Sequence, residues 1–319
     1  MKYKKIIECT LLLITHERPK LAIKSLKYYK HFFLNIKILD SSKKENKHLK
    51  NNFEYYHCKN YSIIEKILLG LSKTKTKYTI ISPDDDFLFP DSVKKGIDFL
   101  EKNNQFVSTG GRYYSFEKFG FLKKFNLMYK EGYSNISEIL AQNRLKKVCN
   151  RNLMQMTYNL LNTSVIIKYL SKFKFFKQAN FIEDTITLAN ILFGKHKNLD
   201  VNWMVRDGSV NTNYFDSINL NGLYNFNKKE NNFILKKFFN VFLSLLKEYQ
   251  FKFDKKKTLN NLKIYFSKSK VETKKKINNT IFTKFIKKIY KSIWYSFFIY
   301  RYWVYFSQNE KKFLKLIFK

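Results

Sequence analysis

Three adjacent carboxylates, Asp84-Asp85-Asp86, end an apolar run and constrain the fold more than any other stretch of the sequence. The run from Tyr78 to Ser82 is short, apolar and β-branched, which is typical of a buried strand. Asp91-Ser92 follow, and then apolar residues at three- and four-residue spacing predict a capped helix. A strand, an acidic loop and a helix form an α/β unit, and open α/β sheets bind ligands at the carboxyl ends of their strands.

The triplet also predicts a metal site. Like charges a few ångströms apart raise each other's pKa, and burial penalises the ionised form further. A divalent cation relieves that repulsion, and hard oxygen ligands are what Mg²⁺ or Mn²⁺ prefer. The alternative is a solvated acidic turn, punctuated by Pro83 and Pro90.

The net charge demands an anionic partner or another explanation. The chain has 319 residues and a formal charge of +36, from 61 Lys and Arg against 25 Asp and Glu. Such a chain attracts polyanions: nucleic acid, anionic lipid or diphosphate substrates. The excess is mostly lysine beside abundant Asn, Ile, Phe and Tyr, a mixture that the codon bias of an AT-rich genome also produces. Hydrophobic residues make up 45%, which is ample for a core and excludes a disordered chain.

The compartment signals point to the cytosol. Three cysteines lie far apart without a CxxC spacing, which indicates reduced thiols rather than a disulfide framework or a zinc site. The apolar stretch Ile6–Ile14 is interrupted by a glutamate and leads directly into polar residues, so it predicts a first strand rather than a signal peptide. No stretch reaches the ~18 apolar residues of a membrane span.

Strand and helix patterns alternate through the first half of the chain, which predicts a mostly parallel sheet flanked by helices. The expected elements are strands at Ile6–Ile14, Ile36–Leu39, Phe53–Tyr56 and Tyr78–Ile81, and helices at Pro19–Tyr29 and Tyr61–Leu71. Further along, the patterns predict a turn at Gly110-Gly111, helices near Leu160–Leu170 and at Phe181–Phe193, a strand at Leu199–Val205 and a polar loop at Arg206–Gly222.

The character of the chain changes near residue 226, where lysines begin to interleave with aromatic residues. We therefore expect a catalytic domain over 1–225 and a basic, aromatic, mainly helical region over 226–319. The segment Ile281–Phe306 is the extreme case, and a basic aromatic helix suits the plane of an anionic membrane surface. A helical subdomain that packs its apolar stripe onto the catalytic domain is the alternative.

In order and spacing, four blocks of the sequence resemble the GT-A fold glycosyltransferases, specifically the bacterial group with a family-2-like, DxD-containing N-terminal domain. The resemblance covers roughly residues 5–220. Its blocks are Leu11–Pro19, Ile36–Ser42, Ile80–Pro90 and Phe181–Asp184.

This resemblance implies a nucleotide site with a divalent cation, Mn²⁺ or Mg²⁺. Asp86 would bind the metal that bridges the nucleotide diphosphate, with Asp84 near the ribose or a metal-bound water. Asp40 would accept a hydrogen bond from the base, commonly uracil. The rest of the nucleotide-binding set would be Thr15, Arg18 and Asp85.

The resemblance also implies a general base. Asp184 matches the acidic position that serves as base in inverting members, and Glu183 is the near alternative; ordinary capping of a helix N-terminus would explain the same pair. His196 is a candidate third metal ligand, against the simpler interpretation of a lone surface histidine. Arg206 and Asp207 are candidates for the start of a loop that closes over the diphosphate, against the simpler interpretation of a plain solvated loop. The QxxRW motif of processive synthases is absent, which favours transfer of a single sugar.

The expected function is transfer of a sugar from a nucleotide-diphosphate donor, with a UDP-sugar favoured, to a hydroxyl of a glycan or lipid-linked acceptor. The transfer is expected to be metal-dependent and inverting, in synthesis of surface polysaccharide or lipooligosaccharide, on the inner face of the cytoplasmic membrane and without a nucleic-acid partner. Two alternatives stay open: a basic nucleic-acid-binding protein, and a metal-dependent nucleotidyl or phosphoryl transferase, which the lack of a Gly-rich phosphate loop disfavours.

Overall fold

The computed structural model describes residues 4–119, 122–128, 134–150, 156–176, 179–208, 229–268 and 306–318. Within them, nine strands form one sheet in the order β3-β2-β1-β4-β8-β6-β9-β5, with β7 paired to β6. The strands are β1 Ile6–Thr15, β2 Phe33–Asp40, β3 Glu54–His57, β4 Tyr78–Pro83, β5 Asp86–Leu88, β6 Phe106–Phe119, β7 Leu122–Leu127, β8 Leu160–Asn162 and β9 Lys195–Asp207.

Helices cover both faces of this sheet. They are α1 Pro19–Tyr29, α2 Lys47–Asn52, α3 Ile63–Ser72, α4 Pro90–Lys102, α5 Ala141–Asn150, α6 Thr163–Leu170, α7 Ala179–Phe193, α8 Lys229–Glu248, α9 Lys255–Lys268 and α10 Gln308–Phe318, with a 3₁₀ turn at Ser171–Phe173. The predicted α/β class, a mostly parallel sheet flanked by helices, is confirmed.

The directions of the strands indicate at which edge of the sheet a ligand is expected to bind. Strand β1 runs parallel to both β2 and β4, so the chain goes outward to one side of β1 and returns to its other side. Strand β9 runs parallel to β6, and β5 runs antiparallel to β9. The order of strands therefore reverses at β1, and the carboxyl ends of β1 and β4 border the crevice that forms at such a switch point.

Alternation along β1 divides the core into two layers. Leu12 and Ile14 belong to the cluster under α3, α6 and α7, whereas Leu11 and Leu13 belong to the cluster under α1 and α4. Side chains alternate across a strand, so a continuous apolar run is what a strand covered on both faces requires. The sheet is thus the middle layer of three.

Three local predictions differ from the structure. Gly110-Gly111 lies inside β6 and not in a turn. Glycine is needed there because neighbouring atoms leave no room for a side chain. A Cβ on Gly110 would lie 2.0 Å from Oδ1 of Asn159, and one on Gly111 would lie 2.5 Å from the Val201 carbonyl oxygen. Arg206 and Asp207 end strand β9 rather than begin a loop.

The third difference concerns the helix after the acidic triplet. Helix α4 begins at Pro90, whose fixed φ suits a first helical position, and no side chain caps its N-terminus. Ser92, which was expected to help cap it, instead donates to the Asn202 carbonyl oxygen at 2.6 Å. This contact fastens α4 to β9.

The described helices of the C-terminal region share the cores of the sheet. Phe238 and Phe242 of α8 join the cluster around α7, and Phe313 of α10 packs edge-on against Phe32 beside α1. The expected helix at Ile281–Phe306 falls outside the described residues, apart from Phe306, whose ring packs near Phe89. Among the helices that the structure describes, none is long and apolar enough to cross a bilayer.

Candidate functional site

The carboxyl ends of three parallel strands meet at the switch point. Thr15 ends β1 and pairs in register with Asp40, which ends β2. Asp84 follows β4 directly and is fully buried. The structure therefore brings together the predicted nucleotide-binding residues of the first three blocks.

Asp84 is held by the end of β1 and the start of α1. The Thr15 hydroxyl donates to its Oδ2 at 2.6 Å, and Arg18 forms an ion pair with its Oδ1. Burial raises the pKa of Asp84 to about 7, although Arg18 and the Thr15 hydrogen bond both oppose the shift. The neighbouring Asp85 lies 3.4 Å from Arg18.

Asp86 is paired with Arg206, which lies on the neighbouring strand β9. Asp86 is the first residue of β5 and stands opposite Arg206 in the antiparallel pairing with β9. The guanidinium donates from Nε to Oδ1 at 2.7 Å and from Nη2 to Oδ2 at 2.8 Å, a bidentate contact. Burial still raises the pKa of Asp86 to about 6, since Arg206 offsets only part of that cost and the Asp85 and Glu183 carboxylates add repulsion.

Asp40 and a buried lysine form the other wall. The Asp40 carboxylate accepts from the Ser42 amide at 2.9 Å and from the Tyr55 hydroxyl at 2.9 Å. Lys66 donates to the Thr15 carbonyl oxygen at 3.0 Å and to the Ser41 hydroxyl at 2.9 Å. Burial lowers the pKa of Lys66 to about 8, while the Asp40 carboxylate acts in the opposite direction.

The two acidic residues of α7 point to different surroundings. The Tyr158 hydroxyl donates to Glu183, and the Tyr158 ring lies under the guanidinium of Arg206, 5.1 Å from its centroid. Glu183 therefore belongs to the group around Asp86. Asp184 is buried on another side, where the Tyr265 hydroxyl of α9 donates to it at 2.8 Å. Of the two expected bases, the structure brings Glu183 to the site.

His196 does not join the acidic residues. It is fully buried at the start of β9, where its Nδ1 lies 2.8 Å from the Ser108 hydroxyl. Ten residues of extended strand separate it from Arg206, roughly 30 Å at ~3.3 Å per residue. Burial lowers its pKa to about 4. The expectations of a metal ligand and of a surface histidine are both corrected: His196 is a neutral core residue.

The donor set fits a divalent cation only in part. Within the described residues, no group of three or more His, Cys, Asp or Glu side chains could hold a metal ion. Mg²⁺ at nucleotide sites takes one or two carboxylates and completes its shell with phosphate and water. Asp84 and Asp86 are carboxylates suited to such an ion together with a nucleotide, although Arg18 already pairs with Oδ1 of Asp84. Asp86 suits it only once Arg206 gives up its bidentate contact.

Sequence reasoning gave no role to Lys66 or Tyr158. It placed Arg206 at the start of a loop over the diphosphate, whereas the structure places it at the end of β9. The signal for Lys66 was available: a lysine between Ile64 and Ile67 lies close to the apolar stripe of α3, whose start is fixed by a Ser62–Glu65 capping box.

Comparison with solved structures finds a likeness to TarS of S. aureus. TarS 1–349 matches 87% of this chain and 77% of its own, at 10% identity and a TM-score of 0.49. The same piece in complex with UDP matches 81% and 70%, at 10% identity and a TM-score of 0.48. The family models and the curated proteins contain no match to the sequence. A likeness this distant carries no argument about this chain.

Proposed function

We propose that this protein is a glycosyltransferase that moves a sugar from a nucleotide-diphosphate donor, with a UDP-sugar favoured, to a hydroxyl of a glycan or lipid-linked acceptor. One observation carries the proposal: charged groups from β2, α3, β5, α7 and β9, and from the residues that follow β1 and β4, converge at the carboxyl edge of the sheet, and most of them are buried. Buried charges cost stability, so a sheet that gathers them at its ligand edge is organised for binding or chemistry.

The arrangement supports a division of labour along the crevice. Asp40, with Lys66 behind it, lies at the β2 side, where an acceptor for a base N–H is proposed. Thr15 and Arg18 position Asp84 between that wall and Asp86. Asp86 and Arg206 stand on the opposite side, where the diphosphate leaving group is proposed to lie.

Glu183 is the proposed general base. It is half-buried beside Asp86, and the hydrogen bond from Tyr158 fixes its orientation. A carboxylate that removes the acceptor proton accounts for attack by a hydroxyl from the side opposite the leaving group, which gives inversion. Such a base contributes typically ~10²–10⁴-fold in rate. Asp184, held by Tyr265, is assigned to the packing of α7 against α9.

The predicted Mn²⁺ or Mg²⁺ is kept as a proposal. It would be held by Asp84 and Asp86 and would supply Lewis-acid stabilisation of the departing diphosphate. The residues of the chain do the rest: they bind the nucleotide, orient the donor and take the acceptor proton.

A thermal-shift screen tests the proposal directly. The full chain is heated with UDP, other nucleoside diphosphates and their sugars, each with and without Mn²⁺. A ligand at a hundred times its Kd adds about 2.7 kcal/mol to the free energy of unfolding, enough to raise the melting temperature measurably. Stabilisation by a nucleotide sugar, followed by its turnover with a hydroxyl acceptor, is the expected result. Tight RNA binding with a steep salt dependence and no nucleotide-sugar binding would favour the nucleic-acid alternative instead.

An exposed patch supports the proposed attachment to the inner face of the cytoplasmic membrane. Phe175 and Phe233 are 61% and 69% exposed, which is unusual for phenylalanine. The amino groups of Lys174 and Lys237 lie 5.5 and 4.7 Å from the Phe175 ring centroid, and Phe233 is one turn before Lys237 on α8. Exposed rings flanked by lysines match an anionic lipid surface, which accepts both.

Vesicle sedimentation tests this attachment. Anionic vesicles should retain the protein and neutral ones should not, and the double change Phe175→Ser and Phe233→Ser should release it. Ile139 and Leu140, also exposed but without these flanking lysines, provide the matched control pair for serine substitution. Equal retention of the two double variants would refute the assignment of this patch.

A further inference from the structure

In the contact between Arg206 and Asp86, the aspartate is held in place and the arginine is partly open to solvent. Asp86 is fully buried, and its backbone carbonyl oxygen accepts from the Tyr29 hydroxyl at 2.7 Å. The Arg206 side chain keeps 22% of its surface exposed at the crevice. The arginine side chain can therefore turn to a new partner, whereas the aspartate must stay where it is.

Charge around the triplet explains why an exchange is needed. The described carboxylates are those of Asp40, Asp84, Asp85, Asp86, Glu183 and Asp207, and the described cations are Arg18, Lys24, Lys66 and Arg206. The cluster therefore has two more negative than positive groups. A nucleoside diphosphate adds further negative charge, so it needs both a new cation and a donor group that turns towards it.

Arg206 is suited to change partners without leaving its place. Its guanidinium stacks on the Tyr158 ring, which supports the flat group whichever anion it faces. The guanidinium fork matches phosphate as well as carboxylate, each with two parallel hydrogen bonds. The exchange requires only a rotation at the rim of the crevice.

We propose that Arg206 is a placeholder for a divalent cation on Asp86. The cation that accompanies a nucleoside diphosphate takes Asp86, and the released Arg206 binds the diphosphate. This inference rests on the proposed function and adds to it a residue and an order of contacts.

The exchange requires that binding of the cation and binding of the nucleoside diphosphate are coupled. A cation alone must break the bidentate contact between Arg206 and Asp86, so it binds weakly. A nucleoside diphosphate gives Arg206 a new partner, so each ligand strengthens the other by the same factor. Replacement of Arg206 by a neutral residue removes the competitor, and the cation alone should then bind more tightly.

Mn²⁺ binding, followed by the loss of the free-ion electron paramagnetic resonance signal, measures this coupling with and without UDP. In the wild type, UDP should raise the Mn²⁺ affinity about tenfold or more, which corresponds to ~1.4 kcal/mol. In Arg206→Gln, Mn²⁺ alone should bind several-fold more tightly than in the wild type, while UDP binds more weakly and the coupling shrinks. Arg206→Lys keeps the charge without the fork and should lie between them.

Arg112→Gln is the matched control, because Arg112 on β6 pairs with the exposed Asp200 on β9, the strand that also carries Arg206. It should bind Mn²⁺ and UDP as the wild type does. Mn²⁺ affinity unchanged in both Arg206 variants, or wild-type UDP binding independent of Mn²⁺, would overturn the exchange while leaving the nucleotide site intact. Failure of the wild type to bind any nucleoside diphosphate would refute the proposed function itself. Circular dichroism identifies a variant that does not fold, and Arg206→Lys, which still neutralises Asp86, then carries the test.

Discussion

The two ends of strand β9 bury polar groups in opposite ways. At its start, His196 contacts the Ser108 hydroxyl, to which the Asn190 amide donates at 2.7 Å, and no charge is involved. At its end, Arg206 holds Asp86 in a bidentate ion pair beside Glu183. One strand thus carries a neutral core cluster and a charged crevice, and only the second lies at the carboxyl edge of the sheet.

The difference teaches where to look for chemistry in a basic chain such as this one. A hydrogen bond between buried neutral groups contributes modestly to stability, and Nε2 of His196 and Oδ1 of Asn190 have no hydrogen-bond partner within the described residues. Buried ion pairs rarely improve stability over apolar packing, so their presence needs another cause. The proposed function supplies that cause at the Arg206 end and none at the His196 end, and each variant below tests this contrast.

The largest effect is expected from Asp86→Ala. Loss of this carboxylate leaves Arg206 without its partner and removes a group proposed to organise the leaving diphosphate. Nucleotide-sugar turnover should fall about 10³-fold, comparable to the loss of a preorganised electrostatic group in other enzymes. His196→Gln, at the neutral end, should leave turnover within about twofold of wild type. Steady-state rates of both folded variants check the contrast, and equal losses would contradict it.

A comparison of Glu183→Gln with Asp184→Asn distinguishes the roles of two neighbouring residues on α7. Glu183→Gln should reduce transfer by ~10²–10⁴-fold and leave UDP affinity nearly unchanged, since a base acts after the donor is bound. Asp184→Asn weakens the contact with Tyr265 and should lower the melting temperature, with much smaller loss of transfer. Transfer and melting curves are measured on both. The reverse pattern would restore Asp184 as the base, as the family resemblance implies.

Much of the fold could be predicted from local patterns. Runs such as Tyr78–Ser82 and the apolar spacing of α3 depend on neighbours in sequence, and both elements formed close to where they were expected. The edge where Thr15, Asp40 and Asp84 meet also followed, because parallel strands end together.

The rest of the site could not be predicted, because it depends on contacts between distant parts of the chain. Asp86 and Arg206 are 120 positions apart, and only the antiparallel pairing of β5 with β9 joins them. The choice between Glu183 and Asp184 depends on which side of α7 the later helix α9 covers. Crowding at Gly110 likewise comes from Asn159, about fifty residues along the chain.

A moderate effect on acid stability is expected from His196. Its pKa is lowered from 6.5 to about 4 by burial, so the unfolded state binds the proton first as the pH falls. The free energy of unfolding should therefore be unaffected above pH 6.5 and decline between 6.5 and about 4. His196→Gln should remove this part of the decline. Denaturant titrations across that range, compared with the wild type, measure it, and parallel curves would contradict a buried neutral histidine.

The smallest effect is expected from Arg112→Gln, and it completes the contrast because this arginine lies on the strand next to β9. Its ion pair with Asp200 is solvent-exposed, with Asp200 90% exposed, so water and salt screen it. Exposed pairs contribute ~0–1 kcal/mol, and the loss on substitution should fall within that range and vanish in high salt. Denaturant unfolding at two salt concentrations measures it. A large, salt-independent loss in the free energy of unfolding would mean that an exposed ion pair on this sheet contributes as much as a buried one. Buried charge would then no longer be a reason to assign function to the Arg206 end of β9.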